Sequence, residues 1–239
     1  MIREFPRNSV QFKVFGRMAL FTDPLTKIGG EKASYPIPTY QALKGVLESV
    51  YWKPTIVWII DEMRVMKRVH TQSRGIRPIS LNGGNDLSVY QYLADVEYEV
   101  SAHFEFNMHR TDLAEDRNEH KHHNMAQRMI KRGGRRDIFL GTRECQGYVE
   151  YLSPEEYGTA RSEYEGSGEI SFGTMYHGIT YADEGDMKAF YVRLWQPVMK
   201  DGVVTFIRPE ECTMVKKIRS TSVKEFNKSN VQFVEEMDE

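Results

Sequence analysis

The sequence predicts an α+β fold in which strands and helices follow the order strand, helix, strand, strand, helix, strand. Three observations carry this: apolar alternation at residues 9–15 and 95–108, a continuous apolar run at residues 56–60, and helical spacing in segments starting near Thr39 and Asp116. That order is the split βαβ of a ferredoxin-like domain, whose four-stranded sheet also serves RNA-recognition modules. The arrangement hosts many activities, so order alone assigns none.

In SVQFKVF, Ser9 to Phe15, the residues Val10, Phe12 and Val14 share one face between polar neighbours, as in a half-buried strand. The loop FTDPLTKIGGEKASYPIP follows, dense in Pro and Gly and carrying Lys27 and Lys32. Thr39 is placed to cap a helix in which Tyr40, Leu43, Leu47, Val50 and Tyr51 recur at helical spacing, and Pro54 stops it. Ile56, Val57, Trp58, Ile59 and Ile60 read as a buried central strand. After a connection rich in Gly, Asn and Arg, a long strand runs from Asp95 to Met108, with Val96, Tyr98, Val100, Ala102, Phe104 and Phe106 on one face. Asp116 to Arg136 reads as the second helix. It packs on His122, Met125, Ala126 and Met129, and turns Arg117, Lys121, Asn124, Arg128, Lys131 and Arg135 to another side. GTRECQGYVEYL supplies the fourth strand and closes a domain of residues 1–152.

The character then changes. SPEEYGTARSEYEGSGE is a polar, Gly-rich connection, after which Glu169–Tyr176, Lys188–Trp195 and Val203–Ile207 are strand-like. Asp183-Glu184-Gly185 and Lys200-Asp201-Gly202 separate them, and Asp-Gly is a hairpin signal. Residues 153–239 are therefore expected to form a small antiparallel β-sheet domain, ending in the acidic tail VEEMDE.

Composition narrows the class. The chain has 239 residues, 40% hydrophobic and 28% charged, as in ordinary globular proteins. No apolar run approaches the roughly 18 to 20 residues that span a bilayer, and MIREFPRNSVQF lacks the apolar stretch of a signal peptide. Two cysteines, Cys145 and Cys212, make no disulfide framework. A cytoplasmic protein without a membrane partner is the expectation. The net charge of −2 conceals an asymmetry. Residues 1–150 hold 22 Lys+Arg against 18 Asp+Glu, and residues 151–239 hold 10 against 16, so a phosphate-binding surface belongs in the first part.

The stretch DRNEHKHHNMAQRMIKRGGRR, Asp116 to Arg136, concentrates the chemistry. Five of the nine residues from Arg128 to Arg136 are basic and none is acidic. His120, His122 and His123 scatter around a helix axis and lack HExxH spacing, so no metal site and no cofactor are expected. Metal-free RNA cleavage needs a base for the 2′-OH proton, a cation for the phosphorane, and an acid for the 5′-oxygen. Lys121 and His122 are suited to that work, at a helix N-terminus that itself favours anions. Tyr51, in YWKP, is the third candidate, set against the plainer reading of a core aromatic closing a helix. Lys27, Lys32, Arg128, Lys131, Arg132, Arg135 and Arg136 form the expected RNA grip, and Gly133-Gly134 reads as a helix stop.

Three segments, FTDPLTKIGGEKASYPIPTYQALKGVLESVYWKP, DRNEHKHHNMAQ and GGRRDIFLGTRECQGYVEYL, closely resemble the CRISPR-associated Cas five family, variant d, of subtype I-C systems. The likeness extends to HFEFNMHRTDLAEDRNE, GTMYHGITY and VRLWQPVM, and so covers most of the chain. It implies a ferredoxin-like RAMP domain followed by a small antiparallel sheet. It also implies an endoribonuclease that cuts precursor CRISPR RNA at the base of the repeat hairpin, without metal, through the 2′-OH, leaving a cyclic phosphate. The implied partners are the repeat hairpin, the mature 5′ handle and the other subunits of the interference complex, with duplex DNA as a further partner among relatives. By motif, the family's catalytic tyrosine, lysine and histidine fall on Tyr51, Lys121 and His122. A non-catalytic RNA-binding scaffold and a metal-dependent DNA nuclease are the competing readings.

Overall fold

The structure is a computed structural model that describes residues 6–78, 84, 87–181 and 189–221. The tail VEEMDE, the Asp183-Glu184-Gly185 turn and Lys188 lie outside these residues.

Strand β1 (Ser9–Ala19) forms where the alternation predicts it and continues past Phe15. A 3-10 turn at Pro24–Gly29 leads into the short strand β2 (Lys32–Ala33). Thr39 caps α1 (Tyr40–Val50) by accepting from the Ala42 backbone N–H at 3.1 Å, a bond whose loss costs about 1 kcal/mol. Tyr51 follows in extended backbone, φ −151° and ψ 119°, which ends the helix before Pro54. Strands β3 (Ile56–Val65), β4 (His70–Ile76) and β5 (Ser88–Phe106) come next. β4 lies in the stretch read as a connection. Its sequence HTQSRGI is polar and exposed along nearly its whole length, so it carries no alternation to detect.

The second helix differs from expectation at both ends. Residues Thr111–Asp116 form a 3-10 turn, and α2 spans Glu119–Lys131. Asn118 takes the cap, its side chain accepting from Lys121 N at 3.0 Å, which leaves Asp116 outside the helix with its carbonyl accepting from the Asn118 N–H at 2.8 Å and still open to a side-chain donor. At the other end Gly133 adopts φ 83° and donates to the Ile130 carbonyl, so the glycine pair is the helix stop its sequence suggested. Strands β6 (Ile138–Phe139) and β7 (Gln146–Leu152) follow.

The last part contributes β8 (Glu169–Ser171), β9 (Met175–Thr180), β10 (Ala189–Trp195), β11 (Val198–Lys200), β12 (Val203–Thr205) and β13 (Met214–Ser220). These strands do not gather into the one small sheet that was expected. β8, β11 and β12 extend the first sheet beyond β3, and only β9, β10 and β13 form a separate sheet, in the order β13-β10-β9. The physical reason is the open edge of β3. The β11–β12 hairpin covers it and buries Met199 and Val204 against the main core. Asp201 and Gly202 make the hairpin turn with φ of 48° and 85°, the left-handed pair that matches strand twist.

The first sheet runs β6-β7-β1-β5-β3-β12-β11-β8, with β2 and β4 also paired to β5. The chain is thus a mixed α/β protein built mostly from antiparallel strands with few helices. Val96, Tyr98, Val100, Ala102 and Phe104 of β5 all point into the core, as the alternation predicts. α1 packs on β3 and β9, α2 packs on β1 and β7, and the helices touch each other. Burial of Leu43, Leu47 and Val50 on α1 and of Ala126 and Ile130 on α2 fixes both helices, so the end of α1 and the start of α2 meet. No helix among the described residues is long and apolar enough to cross a membrane.

Candidate active site

Tyr51 and His122, 71 residues apart in sequence, meet where the two helices converge: the Tyr51 hydroxyl lies 2.8 Å from His122 Nδ1. His122 is wholly buried and Tyr51 is 3% exposed. Phe104 and Phe106 of β5 flank the imidazole, with ring centroids 6.1 and 6.2 Å away. The other imidazole nitrogen, Nε2, is 2.8 Å from the Asp116 carbonyl oxygen. A carbonyl only accepts, so Nε2 carries a proton, and in that tautomer Nδ1 is the acceptor for the Tyr51 hydroxyl. The main chain of Tyr51 is pinned as well: its N–H donates to Leu47 and its carbonyl accepts from Trp58 Nε1 at 2.8 Å.

Asp116 is the hub that sequence reasoning missed as a site residue. Its carboxylate accepts from Thr55 Oγ1 at 2.6 Å and from the Lys121 ammonium, and lies 3.5 Å from His122 Nε2. Lys121 and Thr55 hold its pKa down to about 2, so it is an anion at any working pH. Burial chiefly, then the Asp116 charge, raises the Tyr51 pKa, opposed by Arg135. Tyr51 is therefore a neutral phenol that donates its proton to His122. The available signals were the cap residue Asn118 and the Asp that precedes it, which mark a turn whose carbonyl faces the helix start.

The structure brings together Tyr51, Lys121 and His122, with Arg135 close enough to bias the phenol. Lys121 is half exposed, on the solvent side of the buried pair. Arg128, Lys131, Arg132, Arg135 and Arg136 are all exposed at the C-terminal end of α2 and just beyond it. Lys131 sits over the Tyr151 ring at 4.4 Å, and the Arg136 N–H ties this segment to Ser49 of α1. Lys27 and Lys32 lie elsewhere. Lys27 is exposed at the end of the 3-10 turn, and Lys32 is over the Tyr90 ring at 4.8 Å where β2 meets β5. Among the neighbouring histidines, His120 is exposed and His123 is partly buried, its pKa lowered by burial and by Arg7. Among the described residues no three His, Cys, Asp or Glu side chains converge as metal ligands.

The Cas5d family model, described as CRISPR-associated protein (Cas_Cas5), matches residues 9–207. A curated relative named CRISPR pre-crRNA endoribonuclease Cas5d, from Thermus thermophilus, is 29% identical over 157 residues, covering 62% of this chain and 64% of the relative. One of the same name from Mannheimia succiniciproducens is 36% identical over 66 residues, 28% of either chain. The match thus spans less than two thirds of each relative's length. A solved structure of a CRISPR-associated protein aligns with a TM-score of 0.75 at 38% identity, over 87% of this chain and 96% of that one. A functionally uncharacterized protein from Streptococcus mutans aligns over the same shares with a TM-score of 0.74 at 38% identity.

Proposed function

Because the chain belongs to the Cas5d family of CRISPR-associated proteins, we propose that it is the endoribonuclease that cuts precursor CRISPR RNA at the base of the repeat hairpin. In this reading it then stays on the 5′ handle as a subunit of the type I-C interference complex. The observation that carries the proposal is the hydrogen-bonded chain Tyr51–His122–Asp116, with bonds of 2.8 Å on both sides of the imidazole. The order β7-β1-β5-β3, with α1 and α2 packed on it, supports reading residues 1–152 as the ferredoxin-like RAMP domain, to whose sheet β12, β11 and β8 are added while β9, β10 and β13 form a sheet of their own.

The chemistry needs no metal. Tyr51 Oη takes the proton of the ribose 2′-OH while passing its own to His122 Nδ1, and the new imidazolium is met by the Asp116 carboxylate 3.5 Å from Nε2. The 2′-oxygen bonds to phosphorus, the P–O5′ bond breaks, and a 2′,3′-cyclic phosphate remains. Lys121 is held by a partly exposed ion pair that contributes little stability, so an arriving phosphate competes for it readily. Its ammonium then stabilises the phosphorane from the open side, where a solvent water gives a proton to the departing 5′-oxygen and the proton held by His122 returns to solvent through Tyr51. The basic run from Arg128 to Arg136 grips the backbone.

A second reading has a specific observation behind it. Both Tyr51 and His122 are buried, as a purely structural pair would be, which suits a scaffold that binds the handle and does not cut. Incubating the chain with its repeat RNA in EDTA separates the two. The nuclease reading expects cleavage of the intact RNA and survival of a substrate with a 2′-deoxy nucleotide at the cut. A folded chain that binds the repeat and leaves it intact is a scaffold, and cleavage that requires a divalent ion removes the relay mechanism.

A further inference from the structure

Where the two sheets meet, a cavity of about 270 Å³ opens between α1, the end of β5, β10 and the turn at Pro209–Glu211. Its walls include Lys44, Phe106, Asn107, His109, Arg193 and Arg208. Arg193 is 4% exposed, yet among the described residues the hydrogen bonds of its guanidinium go to neutral groups. Nε donates to His177 Nδ1 at 3.4 Å, Nη1 donates to Thr180 Oγ1, and the Cys212 thiol lies alongside. His177 supplies no countercharge: its Nε2–H is taken by the Ile207 carbonyl, and burial brings its pKa down to about 4. The carboxylates on the wall, Glu105 and Glu210, are both held by Arg208. Lys44, 3% exposed, adds a second buried cation, which pairs with Glu48 at 3.7 Å. Among the described residues, then, no Asp or Glu pairs with Arg193. Buried charges are ordinarily paired, because an uncompensated one is costly, so a desolvated guanidinium that faces an open cavity and has no carboxylate partner among the described residues is a place where an anion entering the cavity is stabilised.

We propose that this cavity is a phosphate subsite for the RNA backbone, with Arg193 as its principal ligand. The assignment to RNA rests on the nuclease reading above, and it follows from position. Phe106, a wall of the cavity, has its ring 6.2 Å from that of His122. Asn107, another wall, offers its carbonyl to the Arg117 guanidinium, next to the residue that caps α2. A strand laid across Tyr51 therefore places a phosphate close to the scissile one within reach of the cavity. A guanidinium suits the task, since its fork takes two phosphate oxygens together.

Two measurements on the whole chain test this. In anisotropy titrations of the repeat RNA across salt concentrations, Arg193→Met is expected to weaken binding on the order of tenfold, the loss of one charge-assisted contact. It should also reduce the salt slope by about 0.7, the share of one phosphate on a single strand. In thermal unfolding without RNA, inorganic phosphate should raise the Tm of the unsubstituted chain above its value in chloride at equal ionic strength. It should raise that of Arg193→Met less, and the variant alone should melt no lower than the parent because an unpaired charge is gone. Unchanged affinity and slope overturn the proposal, and so does a phosphate effect that is identical in both proteins. Should Arg193→Met not fold, Arg193→Lys decides: a subsite keeps the salt slope and loses affinity, whereas a merely structural arginine loses melting temperature and keeps affinity. Cleavage in EDTA is read on the same samples, so a chain that binds but does not cut rejects the nuclease reading and leaves the subsite to be judged on its own slope.

Discussion

Tyr51 holds a proton that burial and the Asp116 charge keep on the phenol, and it faces a ring nitrogen that accepts in the tautomer set by the Asp116 carbonyl. A neutral tyrosine is a poor base by itself, so the relay gives it a role only if His122 receives what Tyr51 releases. Tyr51→Phe should therefore cut the single-turnover rate by about 100-fold or more while leaving affinity for the repeat RNA within about twofold. His122→Gly should be equally slow, and added imidazole should restore part of the rate. If the pair is structural, both variants lose stability, with about 1–3 kcal/mol for a stranded polar partner, and the folded fraction cuts at the parental rate. Tyr51 and His122 were legible as residue types and as motif matches. Their hydrogen bond was not, because 71 residues separate them and only the packing of two helices on one sheet joins them. Asp116 was hidden for another reason: its main-chain carbonyl, which any residue possesses, is half of its contribution.

Elements with a strong period were the readable ones. α1, the apolar run of β3, and the alternation in β5 each announce themselves because one face is buried and another is not. β4 and β13 are exposed along nearly all of their length, so no pattern betrays them; of the three-residue strands, β8 and β12 lie in segments that read as strand-like and β11 does not. The short strands' membership of the main sheet depends on the open edge of β3, a property of the assembled fold rather than of their own sequences. Helix boundaries depend on caps, and the start of α2 makes that consequential. Asn118 holds the Lys121 N–H, and the turn before it aims the Asp116 carbonyl at His122. Asn118→Ala should lower stability by about 1 kcal/mol and slow cleavage more than it weakens binding. Asn118→Asp, which caps as well and favours the helix N-terminus, should behave like the parent in urea unfolding and in turnover. A cap variant that unfolds more easily but cuts at the parental rate would detach the helix start from the chemistry.

At the scale of the whole molecule, two histidines, one in each sheet, pull stability in opposite directions with pH. His177 is wholly buried between Tyr40, stacked at 4.3 Å, and Trp195. Burial first, then Arg193, lowers its pKa to about 4. The unfolded chain takes up that proton near the ordinary value of about 6.5, so this contribution is complete above that pH and is lost as pH falls toward 4. Its full span is about 3 kcal/mol. His123, also lowered by burial, adds to the same flank. His103 does the reverse. Its bond to Asp61 at 2.9 Å raises its pKa, so its contribution is complete below about 6.5 and is lost as pH climbs through the raised value. The carboxylates held down by cations, Asp116 by Lys121 and Glu105 by Arg208, are lost only at more acid pH and leave the neutral range to the histidines. Stability measured by urea unfolding should therefore peak near pH ~6.5. His177→Gln should flatten the acid side between about pH 6.5 and 4, and His103→Asn should flatten the alkaline side. A parent curve that keeps rising from about pH 6.5 to 8 would show that the Asp61–His103 pair carries no stability, and an acid limb unchanged in His177→Gln would move the titrating group elsewhere.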